Sequence, residues 1–199
     1  HETPFVVWFP TIHARNFLSK SKWEVPPEWI GNKFTARKSS EIKGLGVSSK
    51  EEKQTAISVL KAIKKHNGIV ATGHLSWQEA EWLALESLKM KLPVVLTHPI
   101  YQRIDMPIEV QKKLADKGAF VEVPRSMNAI DNIPLSKIVE QIRKVGCDKV
   151  ILSTDGGQAF SAAPSILMLD FCEKLTKEVF TVEEIRQMIV KNPAELLGL

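Results

Sequence analysis

With 199 residues and 44% apolar side chains, the chain can bury one sizeable core, which excludes a disordered or collagen-like protein. Its net charge of +4 is spread along the chain instead of forming a patch, so no specific nucleic-acid partner is expected. The two cysteines, Cys147 and Cys172, are too few for a disulfide framework, and no apolar run approaches the roughly 18 residues of a membrane span. The N-terminal residues lack a basic-then-apolar leader pattern, which makes a cytoplasmic protein without membrane association the expectation.

In chain order, Phe5-Val6-Val7-Trp8-Phe9 is β-branched and aromatic and is closed by Pro10, so it reads as a buried strand. His13 follows at its C-terminal mouth, where it could touch a ligand or serve only as a loop residue bonded to backbone. Residues 16–49 show no sustained period, but carry Pro26-Pro27 and the bulky Trp23, Trp29 and Phe34. A long ordered loop with such aromatics reads as a lid over Trp23 to Phe34, with Arg37, Lys38 and Lys43 forming a solvated edge.

Regular elements then alternate. Ser49 with Glu52 fits a capping box, and Ala56, Ile57, Leu60 and Ile63 follow at helical spacing until Gly68. His66 falls in the last turn, where a cation suits the helix dipole, so it has a sufficient structural role. A strand at 69–73 ends on His74. Ser76 and Glu79 begin the next helix, and a strand at 94–97 ends on His98. Pro107 opens a helix, and a strand at 119–123 follows with Arg125 just past its end. Pro134 starts a further helix, stopped by Gly146, before a strand at 150–154 that ends in Asp155-Gly156-Gly157-Gln158. Pro164 and the Thr181/Glu184 capping box begin two more helices, and Asn192-Pro193 caps a terminal one.

Near-continuous apolar strands alternating with helices predict an α/β fold with five parallel strands covered by helices. Ligands in such folds bind at the C-terminal strand ends, and His13, His74, His98, Arg125 and Asp155 all fall there. Two imidazoles from neighbouring strand ends and a carboxylate from two strands further round suit zinc first, with manganese or iron as alternatives, leaving an open position for water. His74, His98 and Asp155 are the candidate metal ligands. Asp155 is also the candidate base for the water proton, and His98 a candidate electrophilic partner of the substrate oxygen. Arg125, and after it Arg103, lie beyond strand ends where they could bind an anionic substrate group, a surface salt bridge being the other role for each and the more expected one for Arg103. Gln158 could orient a polar substrate group or only satisfy the turn.

Gly73-His74, Thr97-His98-Pro99, Ser153-Thr154-Asp155 and the closing Asn192-Pro193-Ala194-Glu195-Leu196-Leu197-Gly198-Leu199 resemble the amidohydrolase superfamily of metal-dependent hydrolases, closest to a branch of uncharacterised members. The resemblance runs from about Phe5 to the end and implies a (β/α)8 TIM barrel. It implies that His74, His98 and Asp155 match the histidines of the fifth and sixth strands and the aspartate of the eighth. The five strands then become strands four to eight, the first three being absent, and residues 1–199 form the C-terminal portion of one barrel domain with a loop at 16–49.

Two departures stand out. The family's first-strand His-x-His occurs nowhere in this chain, and Thr11 and His13 stand where a bridging lysine or glutamate is often found. At most one tightly held metal is therefore expected, and this chain alone could be inactive.

The expected activity is metal-dependent hydrolysis of an amide, cyclic amide, ester or lactone bond in a small molecule, in a chain that could form homo-oligomers. A phosphoesterase on a related barrel and a non-catalytic binding or assembly module are the alternatives.

Overall fold

The computed structural model describes residues 4–20 and 43–199. The lid expected over Trp23 to Phe34, with Arg37 and Lys38, lies outside the described residues.

Five short strands, β1 (Val6–Trp8), β2 (Ile69–Ala71), β3 (Val94–Leu96), β4 (Phe120–Pro124) and β5 (Val150–Ser153), form one parallel sheet. Their order across the sheet is β1-β2-β3-β4-β5, the same as their order in the chain. A doubly wound sheet reverses its strand order part-way, and this one does not, an order consistent with a partial barrel. Each strand lies within two residues of its expected position, because Val, Ile and Leu runs favour a pleated surface, but β1 is not the buried strand expected, Trp8 being 55% exposed.

The register separates the two faces. Val70 pairs with Val94, Leu96 with Val121, and Val121 with Val150, and these side chains join the hydrophobic core under the helices. The alternate positions Ala71, Val95, Phe120, Glu122 and Ile151 occupy the other face.

The covering helices α2 (Lys50–Lys65), α3 (Trp77–Lys89), α4 (Ile108–Ala115) and α6 (Leu135–Val145) contact one another in succession, each packing an apolar stripe inward. Leu60, Leu83, Leu114, Ile138 and Ile142 are fully buried there, and each such side chain stabilises the fold by about 1.5–3 kcal/mol relative to exposure. The capping boxes Ser49/Glu52, Ser76/Glu79 and Thr181/Glu184 are all present. Helices α7 (Pro164–Glu178), α8 (Val182–Arg186) and α9 (Asn192–Leu197) complete the chain, with a π-helical turn at Gln187–Lys191 between the last two.

Three features depart from expectation. A five-residue helix, α1 (Arg15–Ser19), occupies the start of the segment expected to be loop. A second short helix, α5 (Ser126–Ala129), follows β4 directly. Asn192 does not cap the terminal helix. It is fully buried, and its Nδ2 donates to the carbonyls of Cys147 (2.7 Å) and Val150 (2.5 Å) while its Oδ1 accepts from Gln187. The motif thus ties the helical C-terminus to the start of β5. Among the described residues, no helix is long and apolar enough to cross a membrane.

Candidate active site

Thr72 and Thr97, both buried, stitch the ends of β2 and β3 together. The Thr97 amide donates to Thr72 Oγ1 (2.9 Å), and the Gly73 amide donates to Thr97 Oγ1 (3.0 Å). Gly73 then turns the chain at φ +61°. A Cβ there would meet the Phe9 carbonyl oxygen at 2.2 Å, so the position requires glycine. The next residue, His74, is fixed by its amide donating to the Pro10 carbonyl (2.9 Å). One strand over, His98 itself has φ +25°, and Asp155, just past β5, has φ +47°. Left-handed backbone is unusual for a non-glycine residue, and here it re-aims two side chains at one mouth. Glu122 helps hold the edge: its carboxylate accepts from the His98 amide (3.3 Å) and from Ser153 Oγ (2.8 Å).

The two histidines converge, with Nε2 of His74 lying 3.2 Å from Nε2 of His98. Two nitrogens on one tetrahedral zinc, each at about 2.0–2.1 Å, would be about 3.3 Å apart, so the spacing fits a shared metal. Donor chemistry fits as well, imidazole being the common nitrogen ligand of zinc. The set is partial, since among the described residues no group of three or more His, Cys, Asp or Glu comes together in metal-binding geometry. Both Nδ1 atoms are buried without a hydrogen-bond partner, whereas metal-bound histidines usually donate from that nitrogen.

The surroundings keep His74 neutral. Phe17 of α1 stacks on His74 with ring centroids 4.9 Å apart, and Tyr101 meets His98 edge-on at 5.4 Å. Burial, helped by the like charges of His98 and Arg103, pushes the His74 pKa down to about 3, while the Thr11 carbonyl acts the other way. Neutral imidazole is the form that binds a metal.

Both histidines line a cleft of about 360 Å³ together with Asp155, Gln158, Ser126 and Asp131. Asp155 is exposed at its mouth, not buried as a strand-end carboxylate would be, and its Oδ2 accepts from Ser126 Oγ at 2.9 Å. Gln158 donates from Nε2 to the Asp155 carbonyl (2.8 Å), which holds the turn that presents the acid.

Two expected residues are elsewhere. His13 is exposed and outside the cleft lining, its carbonyl accepting from the Leu45 amide. Arg125 is buried outside that lining, its Nε donating to Asp170 Oδ2 (2.7 Å) and its Nη1 to Asn128 Oδ1 (3.4 Å). Of the two arginines, Arg103 lines the cleft and Arg125 forms an ion pair with Asp170. Sequence reasoning also passed over Phe17, Tyr101, Ser126 and Asp131. Ser126 and Asp131 lie within seven residues of the end of β4, a nearness to a strand end that could have marked them.

Residues 4–122, more than half of the chain, match the model of a family of unknown function, DUF6282. The chain belongs to this family. No curated protein matches this DUF6282 member. Among solved structures it is similar to the organophosphorus hydrolase from Deinococcus radiodurans, with a TM-score of 0.55 at 16% identity, over 75% of this chain and 52% of that one. It is also similar to a structure described as molecular engineering of organophosphate hydrolysis activity from a weak promiscuous lactonase template, with a TM-score of 0.55 at 17% identity over 75% and 53%. At these identities the likeness is one of fold. The DUF6282 chain spans about half the length of these structures.

Proposed function

We propose that this chain carries the C-terminal part of the active site of a metal-dependent hydrolase of the amidohydrolase type, acting on an amide, cyclic amide, ester or lactone bond of a small molecule. The observation that carries the reading is the 3.2 Å approach of His74 and His98 Nε2, from adjacent strand ends, in a cleft shared with Asp155. In this reading β1 to β5 are strands four to eight of a (β/α)8 barrel, residues 1–199 are one barrel domain, and the remaining ligands come from outside the residues described.

His74 and His98 would hold the metal, zinc by preference, through Nε2. A divalent ion bound there supplies Lewis acidity, polarising a carbonyl or phosphoryl oxygen and acidifying a water. Asp155 keeps Oδ2 on Ser126 and offers Oδ1 to take the proton of the attacking water, then returns it to the leaving group. Gln158 orients the substrate from the Asp155 turn. Phe17 and Tyr101 shield the histidine pair from bulk water, which strengthens every polar interaction inside.

The names of the structural neighbours favour a second reading, hydrolysis of a phosphorus ester. One screen tests both: metal-supplemented protein with amides, lactones, carboxylic esters and phosphotriesters, beside its Asp155→Ala form. Hydrolysis of a carbon–nitrogen or carboxylic ester bond that disappears in Asp155→Ala supports the first reading, and activity on phosphorus esters alone supports the second. No hydrolysis by this chain or by a longer form containing it would leave a binding or assembly module as the account.

A further inference from the structure

Ser126 fixes a second acid beside Asp155. Its hydroxyl donates to Asp155 Oδ2 (2.9 Å), and its carbonyl accepts from the Asp131 amide (3.3 Å) where the chain leaves α5. The Asp131 carbonyl in turn accepts from Gln102 Nε2 (3.3 Å), on the loop after β3, and Asn132 then turns the chain at φ +55°. Asp131 is therefore tied to the loops after both β3 and β4, and it lines the cleft that holds the histidine pair. Its carboxylate is half-buried, and among the described residues it accepts no hydrogen bond and forms no ion pair. Burial raises its pKa, His98 and Arg103 oppose the rise, and the charge of Asp155 adds to it, so the acid belongs electrostatically to the site. Asp155 takes the water proton in the proposed hydrolysis, which leaves Asp131 without a part in it.

We infer that Asp131 accepts a hydrogen bond from an N–H of the substrate, and thereby selects amides and cyclic amides with a free N–H over the matching esters and lactones. The choice between amide and ester rests on the proposed hydrolytic reading, whereas the N–H subsite itself does not. A ligand that fills the cleft takes water away from this carboxylate, and a desolvated charge is costly unless the ligand supplies a donor. An amide N–H supplies one. An ester or lactone oxygen in its place turns a lone pair toward the carboxylate, so the wrong ligand meets both a lost bond and a repulsion. Ile12, Met127 and Ile130 line the same cleft as an apolar wall. Its volume of about 360 Å³ is at the small end of ligand sites, which suits a compact ring.

The test titrates δ-valerolactam, N-methyl-δ-valerolactam and δ-valerolactone into the full chain by NMR, beside its Asp131→Leu and Asp131→Asn forms, with a chelator present. The two control rings keep the carbonyl and lack the N–H. Leucine keeps much of the shape of aspartate without an acceptor, and asparagine retains one acceptor oxygen. The expected result is that δ-valerolactam shifts resonances of cleft residues at concentrations roughly tenfold below either control, as a hydrogen bond to a charged group implies. Asp131→Leu should abolish that preference and Asp131→Asn should keep part of it, a graded response that a merely structural role would not give. Equal binding of the three rings by the unaltered chain, or no binding of the lactam, overturns the inference even if the variants do not fold. So does a lactam preference that survives in Asp131→Leu. A hydrolysis screen that finds nothing while the lactam preference holds would remove the proposed activity and leave the subsite standing. A screen in which lactones are cleaved in preference to lactams would do the reverse.

Discussion

Ser126 Oγ donates to Asp155 Oδ2 across 2.9 Å, linking the helix that follows β4 to the acid that follows β5. Among the described residues this is the only hydrogen bond on the Asp155 carboxylate. It leaves one carboxylate oxygen for chemistry and sets the direction in which it points.

Replacing Ser126 with alanine should therefore act on turnover more than on folding. A hydrogen bond to a charged group contributes about 1.5–3 kcal/mol, so Ser126→Ala is expected to lower kcat roughly 10- to 100-fold. The melting temperature should move little, because Asp155 is exposed. Ser126→Thr, which retains a hydroxyl, should recover most of the loss. Steady-state kinetics on any substrate found in the screen checks this.

Asn192 makes the opposite prediction. Asn192→Ala leaves the Cys147 and Val150 carbonyls without their side-chain donor in a fully buried place. Stability should fall by about 2–3 kcal/mol, measured by urea unfolding with an unchanged m-value. Aspartate in its place would bring a second acceptor against the two carbonyls and should be worse than alanine.

His74 sets a pH dependence. His74 is held at a pKa of about 3 in the folded chain against an ordinary value of 6.5, so the unfolded chain binds more protons between these limits. Its contribution to stability is complete above about pH 6.5, falls as the pH drops, and is lost below about pH 3. With a chelator present, the stability of the wild type should decline more steeply from pH 6.5 to 4.5 than that of His74→Gln. Glu52 and Glu184, both held at about 2 by Arg15 and Arg143, add their own losses mainly below 4.5, so the upper window isolates the histidine.

Gly73→Ala tests the turn that presents His74. The added methyl would lie 2.2 Å from the Phe9 carbonyl oxygen at a left-handed φ, so the chain must shift. A loss of more than about 1 kcal/mol is expected, with displacement of the His74 ring visible in its NMR signals.

The sequence showed the strands, most helices and three capping boxes because each rests on short-range chemistry: apolar runs, Ser or Thr followed by Glu, and proline or glycine at element ends. It also placed His74, His98 and Asp155 at one edge, since parallel strands bring their C-terminal ends together. What it could not show depends on contacts between distant positions. His13 and Arg125 also follow strand ends, but only the folded chain reveals that Asp170, 45 residues on, takes up Arg125. The same holds for α1, whose Phe17 and Asn16 matter because they reach His74 and Arg103, not because five residues announce a helix.

The claim at the centre of this account is that His74 and His98 share a metal ion through Nε2. The most direct measurement is metal uptake by the full chain, purified without chelators and titrated with zinc, beside its His74→Ala and His98→Ala forms. The account predicts about one zinc ion bound per chain, lost or greatly weakened in both variants. No uptake by the unaltered chain or by a longer form containing it, or uptake unchanged in both variants, would contradict it.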